Sequence, residues 1–300
     1  MPASVQGTEM KKNSTDDPKS LAMFILAMVI FGTIGPLRRL IPLSSAMIVF
    51  FRGLIGSLFL LAYIKITNRP DDTKLDRRTW FALIRNGIFI GINWILLFEA
   101  YRYTTIARAT LAYYLQPSIV LFLSPIVFKE KLTLQKGILG IVSLAGMVLV
   151  SGVLQKEPPS VNEFRGILYG IGAACFYAFV VITNKQIVME NAAKRTIIQL
   201  SSAAVLLVPY LLITEQGAQS AFTPTVIGLL LVAGIVHTGI AYLLYFSSIS
   251  GLKAQTISIL SYIDPVTALA VSALVLKEGM SVSAMIGAVM IISSAFLSSN

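Results

Sequence analysis

At 300 residues the chain has the length of one or two soluble domains. Its composition excludes that reading: apolar residues are 56%, charged residues 13% and mean hydropathy is +0.79, where a soluble domain carries roughly 25% charged residues. The lone Cys175 and the lone His237 exclude a disulfide framework and a four-ligand structural zinc site.

A membrane span needs about 20 mainly apolar residues to cross roughly 30 Å. Ten such stretches are predicted, over residues 20–38, 43–65, 79–101, 105–128, 134–154, 165–186, 194–213, 224–248, 254–276 and 281–298. Backbone groups in lipid must be satisfied internally, so each stretch is predicted to be a helix. A β-barrel would need alternating segments of about ten residues, and these runs are continuous. The first stretch follows a polar, lysine-bearing tail as a signal peptide would. Its apolar run is too long for one and no small-residue cleavage site is clear, so it is read as retained.

Basic residues set the orientation. With the N-terminus inside, fifteen Lys and Arg fall on inner segments and seven on outer ends, while Arg52 and Arg85 lie within spans. This bias predicts a multi-pass protein of the cytoplasmic membrane with both termini cytoplasmic. It also accounts for much of the net charge of +10, so no nucleic-acid partner is expected.

The sequence repeats at a period of about 148 residues. Residues 96–133 read LLFEAYRYTTIARATLAYYLQPSIVLFLSPIVFKEKLT, and residues 243–281 read LLYFSSISGLKAQTISILSYIDPVTALAVSALVLKEGMS. Pro117 is followed after eleven residues by Lys129-Glu130, and Pro265 after eleven by Lys277-Glu278. Each copy has five spans, an odd number, so the second copy runs upside down. The expected architecture is all-α and integral to the membrane, with ten transmembrane helices in a 5+5 inverted repeat. A cytoplasmic tail covers residues 1–19, the first repeat residues 20–155 and the second residues 156–300. Inverted repeats of this kind build secondary transporters with a mid-membrane site between the halves.

With these motifs the chain resembles the EamA-type branch of the drug/metabolite transporter superfamily, from about Leu21 to Ser298. The resemblance is carried by YRYTTIARATLAYYLQP ending at Pro117, by FKEKLT, and by their counterparts SSISGLKAQTISILSYIDP ending at Pro265 and LKEGMS. It implies a carrier of a small metabolite, with export the implied direction, and leaves the substrate unnamed. Relatives often carry a Trp-Gly pair in the first helix, where this chain has Phe31-Gly32.

Ionisable groups at mid-depth are functional candidates because lipid penalises them. Three qualify: Arg52, His237 and Asp264. Asp264, next to Pro265, could bind a substrate ammonium or carry a coupling proton, or pair with Arg52. Arg52 could clamp a substrate carboxylate or serve as an interhelical ion pair. His237 titrates between about pH 5 and 8 and suits coupling, or it hydrogen-bonds a carbonyl.

Helical spacing puts His237, Ala241 and Tyr245 on one face with Tyr242 beside it. A second strip holds Thr110, Tyr113, Tyr114 and Pro117 with Gln116 adjacent; a third holds Ser258, Ser261, Tyr262 and Pro265. Asn93, Trp94 and Tyr177 complete the candidate substrate-binding set, which suits a small amphipathic solute. Glu99, Arg102 and Arg108 form a predicted mouth cluster. Glu130 and Glu278 are read as helix-end structural acids, and Gly166 with Gly170 as a close-packing step.

No G-x-x-x-x-G-K-[ST] pattern is present, so nucleotide hydrolysis is not expected to drive transport. The single histidine excludes an HExxH protease, and no Gly-x-Ser-x-Gly elbow occurs. No cofactor or metal is expected. The partners are the small-molecule substrate, the lipid bilayer and a coupling proton or cation, and ten helices could work as a monomer or homodimer. The alternatives are a passive channel for small solutes and a membrane-embedded enzyme, the latter with Glu99 and Arg102 as its nearest acid-base pair.

Overall fold

The computed structural model describes residues 16–67, 75–104, 106–150, 153–155, 160–187, 189, 191–215, 222–275 and 281–299. Among them all regular structure is helical, as expected of apolar runs that must bond their own backbone. The helices are α1 (Pro18–Gly32), α2 (Ile34–Arg39), α3 (Ser45–Thr67), α4 (Arg77–Tyr103), α5 (Ile106–Tyr113), α6 (Leu115–Phe128) and α7 (Leu134–Val150). They continue as α8 (Val161–Gln186), α9 (Ala192–Thr214), α10 (Pro224–Gly234), α11 (Ala241–Ser248), α12 (Ala254–Leu260), α13 (Ile263–Val275) and α14 (Val282–Ser299).

Six helical segments among the described residues are long and apolar enough to cross a membrane: Ser45–Thr67, Arg77–Tyr103, Arg108–Phe128, Val161–Gln186, Ala192–Thr214 and Pro224–Gly251. Pro18–Gly32, Leu134–Val150 and Val282–Ser298 are shorter apolar helices. Large apolar side chains such as Ile126, Leu134, Val205, Leu212, Leu274 and Phe296 stand exposed on the outside of the bundle. Such a surface would aggregate in water and matches a lipid environment.

Three of the predicted continuous spans are broken. The breaks fall at Thr33 between α1 and α2, at Tyr114 between α5 and α6, and at Ser261–Tyr262 between α12 and α13. Thr33, Tyr114 and Tyr262 each precede a proline by three residues: Pro36, Pro117 and Pro265. A proline gives no N–H to the carbonyl four residues back and crowds it, so the ladder opens one turn earlier. A fourth irregularity is the widened, π-type turn Ile235–Ile240 between α10 and α11.

The main core joins α1, α4, α8, α9, α11 and α12 through Phe24, Ile90, Phe98, Val181, Leu200, Leu207, Phe246 and Ile257. Helix α4 packs on α8 and α9, α3 on α9 and the widened turn, α1 on α11 and α13, α6 on α8 and α12, and α7 on α14. Buried amides fasten the long helices. Asn184 and Gln199 exchange hydrogen bonds at 3.2 and 2.6 Å, and Thr183 Oγ1 donates to Asn86 Oδ1 at 2.6 Å. A Cβ on Gly166 would stand 2.7 Å from Thr104 Cγ2, and one on Gly170 2.8 Å from Ala112 Cβ. That pair of glycines does allow the close packing expected of it, between α8 and the chain around α5.

Candidate functional site

Two ends of the bundle have different character. At one, around Lys253, α12 is buried along its whole length. Asp16 there accepts from the Lys253 N–H through Oδ1 and from Thr256 Oγ1 through Oδ2, each at 2.6 Å. Lys136 Nζ also reaches Thr256 Oγ1, at 3.2 Å. Glu130 takes the Ala254 N–H at 3.2 Å and lies 3.9 Å from Lys185, whose Nζ donates to the Leu252 carbonyl. This places Glu130 at a helix end, as read from sequence. Its counterpart Glu278 lies outside the described residues. Towards the opposite end, around Arg102, the groups Arg52, Tyr101, Thr110, Tyr113, Tyr114 and Asp264 all keep accessible surface. The polar interior is thus tied together at the Lys253 end by Asp16 and Glu130, while those six groups are half-buried.

Its centre is a cluster of polar and aromatic side chains around Arg52 of α3 and Asp264 of α13. Gly56 lets α3 approach the widened turn, since a Cβ there would sit 3.0 Å from both the Gly234 carbonyl and Thr238 Cγ2. That approach lets Arg52 Nε donate to Thr238 Oγ1 at 2.9 Å, while the guanidinium carbon lies 6.0 Å over the Trp94 ring. The Thr238 hydroxyl donates in turn to the Ala233 carbonyl at 3.0 Å. A hydrogen bond to a charged group is worth about 1.5–3 kcal/mol, more than a neutral one, so Thr238 holds the cation firmly in place. Asp264 has Tyr114 as its hydroxyl neighbour and Arg52 within the cluster. Among the described residues these two charges form no contact ion pair. Gly32, the last residue of α1, lets α1 approach α13: a Cβ there would stand 2.6 Å from the Asp264 carbonyl.

Aromatic rings complete the cluster. Tyr113 lies 5.7 Å from Tyr114 and 6.0 Å from Tyr177; Tyr177 lies 6.4 Å from Tyr245, and Tyr245 6.5 Å from Tyr242. Phe31 meets Tyr242 edge-on at 5.1 Å. The Tyr245 hydroxyl and Gln116 Nε2 are buried with no hydrogen-bond partner.

Other sequence candidates lie elsewhere. His237 is buried and joins Thr33 Oγ1 at 3.0 Å through Nε2, with Nδ1 3.4 Å from the Val232 carbonyl. It therefore ties the α1–α2 break to α10, close to Arg52. Asn93 donates to the Ala173 carbonyl at 2.7 Å and clamps α4 to α8. Tyr262 pairs with Ser118 at 2.8 Å, and Ser258 donates to the Pro117 carbonyl, so that strip joins α12 to α6. In the predicted mouth, Glu99 meets Arg102 at 3.0 Å and accepts from Tyr210 at 2.7 Å. Arg108 instead pairs with Glu163, whose other oxygen accepts the Ser160 N–H in the cap of α8. Thr238, Thr33 and Tyr101 carry no signal in the sequence, because hydroxyls beside a histidine or within an apolar run have no distinctive spacing. Among the described residues no three His, Cys, Asp or Glu side chains gather as a metal site would require.

A family model described as the EamA-like transporter family matches residues 18–152 and again residues 164–300. The chain belongs to that family. It is similar to an uncharacterized transporter of Bacillus subtilis, YxxF, at 29% identity over 86% of this chain and 82% of the relative. An uncharacterized transporter of Archaeoglobus fulgidus is 25% identical over 92% of this chain and 94% of its own. One solved crystal structure superposes with a TM-score of 0.79 at 16% identity, covering 93% of this chain and 96% of that one. That likeness concerns the fold alone. An EamA-family chain with apolar membrane-length helices is a multi-pass membrane transporter, whose surroundings are a bilayer and whose cargo is a small molecule.

Proposed function

We propose that this protein is a secondary transporter of the cytoplasmic membrane, with both termini cytoplasmic, that exports a small organic metabolite such as an amino acid or amine by alternating access. The observation that carries the reading is a cluster of Arg52, Asp264 and tyrosine rings among the helices of a chain from a transporter family. A residue pair of this kind in lipid is costly unless it serves a pathway.

A 5+5 inverted repeat of ten crossings is supported by three features. The breaks at Tyr114 and Tyr262 are 148 residues apart, as are Pro117 and Pro265. Trp94 and Tyr242, both in the cluster, are separated by the same interval. The packing also maps onto itself when each predicted span is exchanged with the one five later: α4 on α8 answers α1 on α11, and α4 on α9 answers α3 on the widened turn. The proposed units remain residues 1–19, 20–155 and 156–300.

In this reading the Arg102 end is outside, from the basic-residue bias, and the site is open outward. Substrate binds at Arg52, Asp264 and the tyrosines, and the mouth acids and bases recruit it. The driving force is a gradient of the substrate or of a coupling proton or cation, with Asp264 and His237 as the groups that would carry the coupling. The unit is a monomer or homodimer, with no enzymatic step.

Purified protein in proteoliposomes tests the proposal. The expected result is saturable flux with counterflow of unlabelled substrate, lost in Arg52→Gln. Flux that rises without saturation and shows no counterflow would make the protein a channel. Saturable flux unchanged by Asp264→Asn would remove that residue from the mechanism.

A further inference from the structure

We propose that the groove between α3 and α9 at the Arg102 end is a lipid site for phosphatidylethanolamine, with the headgroup ammonium on Glu215 and one acyl chain along α9. Such a site requires only that the chain sit in a bilayer, so it does not depend on the transport reading above.

The groove has a volume of about 420 Å³ and is lined by Phe50 of α3 and by Val208, Leu211, Leu212 and Glu215 at the end of α9. That volume falls within the roughly 300–1,000 Å³ of small-molecule sites. The four residues from the α9 side follow the i, i+3, i+4, i+7 spacing of one helix face, and Val208 and Leu212 on that face are exposed. Glu215 is the C-cap of α9, where an apolar span meets the headgroup level. Val208 lies about 10 Å deeper at a rise of 1.5 Å per residue. An occupant therefore meets an acid at its polar end and an apolar face below.

Glu215 is poorly placed for the stability of its own helix. A carboxylate at a helix C-terminus faces the negative end of the dipole, and it has no proton to give the last carbonyls. Among the described residues no hydrogen bond or ion pair engages it. Glu99, the other acid at this end, is matched by Arg102 and by the Tyr210 hydroxyl. The positions 148 residues before Val208 and Glu215 are Leu60 and Thr67. Leu60 is fully buried, and the Thr67 hydroxyl donates to the Tyr63 carbonyl of its own helix at 2.8 Å. The second copy thus carries an exposed valine where the first packs a leucine, and an unmatched acid where the first has a self-satisfied hydroxyl.

Charge selects the occupant. Apolar lining alone distinguishes no lipid, because hydrocarbon already surrounds the helices. A phosphatidylglycerol would bring a phosphate and no cation to Glu215. A choline headgroup is cationic but has no N–H to donate. The ethanolamine ammonium has three, and a charge-assisted hydrogen bond to a carboxylate is about twice as strong as a neutral one. A second copy docked on this face across a two-fold axis would bring two Glu215 carboxylates towards each other.

Native mass spectrometry of the full-length protein in detergent tests the site, with dioleoyl phosphatidylethanolamine, phosphatidylcholine and phosphatidylglycerol added at equal concentration. One phosphatidylethanolamine should be retained about tenfold more tightly than either other lipid. Glu215→Gln should abolish that preference. Leu212→Trp should fill the groove and lose the bound lipid, with melting curves confirming that both variants fold. If either fails to fold, Val208→Trp, which fills the deeper part from an exposed position, should show the loss instead. Equal retention of the three lipids, or a preference unchanged in Glu215→Gln, overturns the headgroup assignment. Retention unaffected by the tryptophans overturns the site. A dimer that carries no lipid and dissociates in the tryptophan variants would make the groove a contact between copies and overturn the lipid as its occupant.

Discussion

Arg52 on α3 and Thr238 in the widened turn Ile235–Ile240 are joined by a 2.9 Å hydrogen bond, so the cation of the cluster is aimed by an irregular stretch of helix. An α-helical turn would rotate Thr238 relative to α10, because a π turn spreads the same rotation over one extra residue.

Thr238→Val is isosteric but has no hydroxyl to accept from Arg52. It should lower substrate affinity about tenfold, the fold-change of a hydrogen bond to a charged group. Thr238→Ser should restore most of it, because the hydroxyl returns. Equal affinity of the valine variant and the parent, measured by transport in proteoliposomes, would show that Arg52 is oriented by something else.

Gly32→Ala tests the approach of α1 to α13. The new methyl would meet the Asp264 carbonyl and Thr267 Cβ, each at 2.6 Å. Backbone cannot yield as a flexible side chain can, so α1 must move away from α13. Overpacking of this kind costs about 1–3 kcal/mol, and a lower melting temperature with reduced transport is expected. Gly228→Ala is the control, since nothing lies within 4 Å of that position in α10, and it should leave transport unchanged and the melting temperature equal or slightly higher.

Much of this fold is written in the sequence. The apolar runs gave helices, but three spans read as continuous break three residues before a proline, while Pro125 and Pro209 lie inside unbroken helices. The period of 148 residues falls on the breaks at Tyr114 and Tyr262. The widened turn was not visible, because no residue type encodes a π turn; the i, i+4 reading of His237 with Tyr245 therefore assumed a regular helix through Ile235–Ile240. Nor was the partner of Arg108. Depth along a span placed it near Glu99, whereas its ion pair with Glu163 joins residues 55 apart through the packing of α5 on α8. Tyr262 and Tyr114 illustrate the same limit: equivalent positions, yet one contacts Ser118 and the other Asp264.

The cap of α1 should show an acid dependence. Two hydrogen bonds from Ser20, hydroxyl and backbone, hold the Asp17 carboxylate below its ordinary range. A carboxyl lowered in the folded state adds stability that is complete above its unfolded value and disappears as pH falls through the folded one. Asp17→Ala should therefore lower the melting temperature at pH 7, with the gap to the parent closing below about pH 4. A gap constant across that range would place the effect in packing rather than in the charged cap.

The Asp16 tie at the Lys253 end makes its own prediction. Asp16 bridges the Lys253 N–H and Thr256 Oγ1. Asp16→Ala removes both bonds and should raise hydrogen exchange at Lys253 and in the first turn of α12, leaving exchange in α8 and α9 unchanged. Unaltered protection of Lys253 would mean that Asp16 does not tie that end.

The most direct test of alternating access reads the site from both faces. Tyr114→Cys in a Cys175→Ser background puts one reactive thiol beside Asp264, and Asp16→Cys with Thr256→Cys adds a disulfide that locks the Lys253 end. Membrane-impermeant maleimide is then applied to right-side-out and to inside-out vesicles, before and after reduction of the lock. The account predicts that label at position 114, located by peptide mapping because the reduced lock adds two thiols of its own, arrives from the Arg102 face alone while the lock is closed and from both faces once it is reduced. Labelling from both faces with the lock intact, or from neither at any stage, would contradict a site that opens to one side at a time.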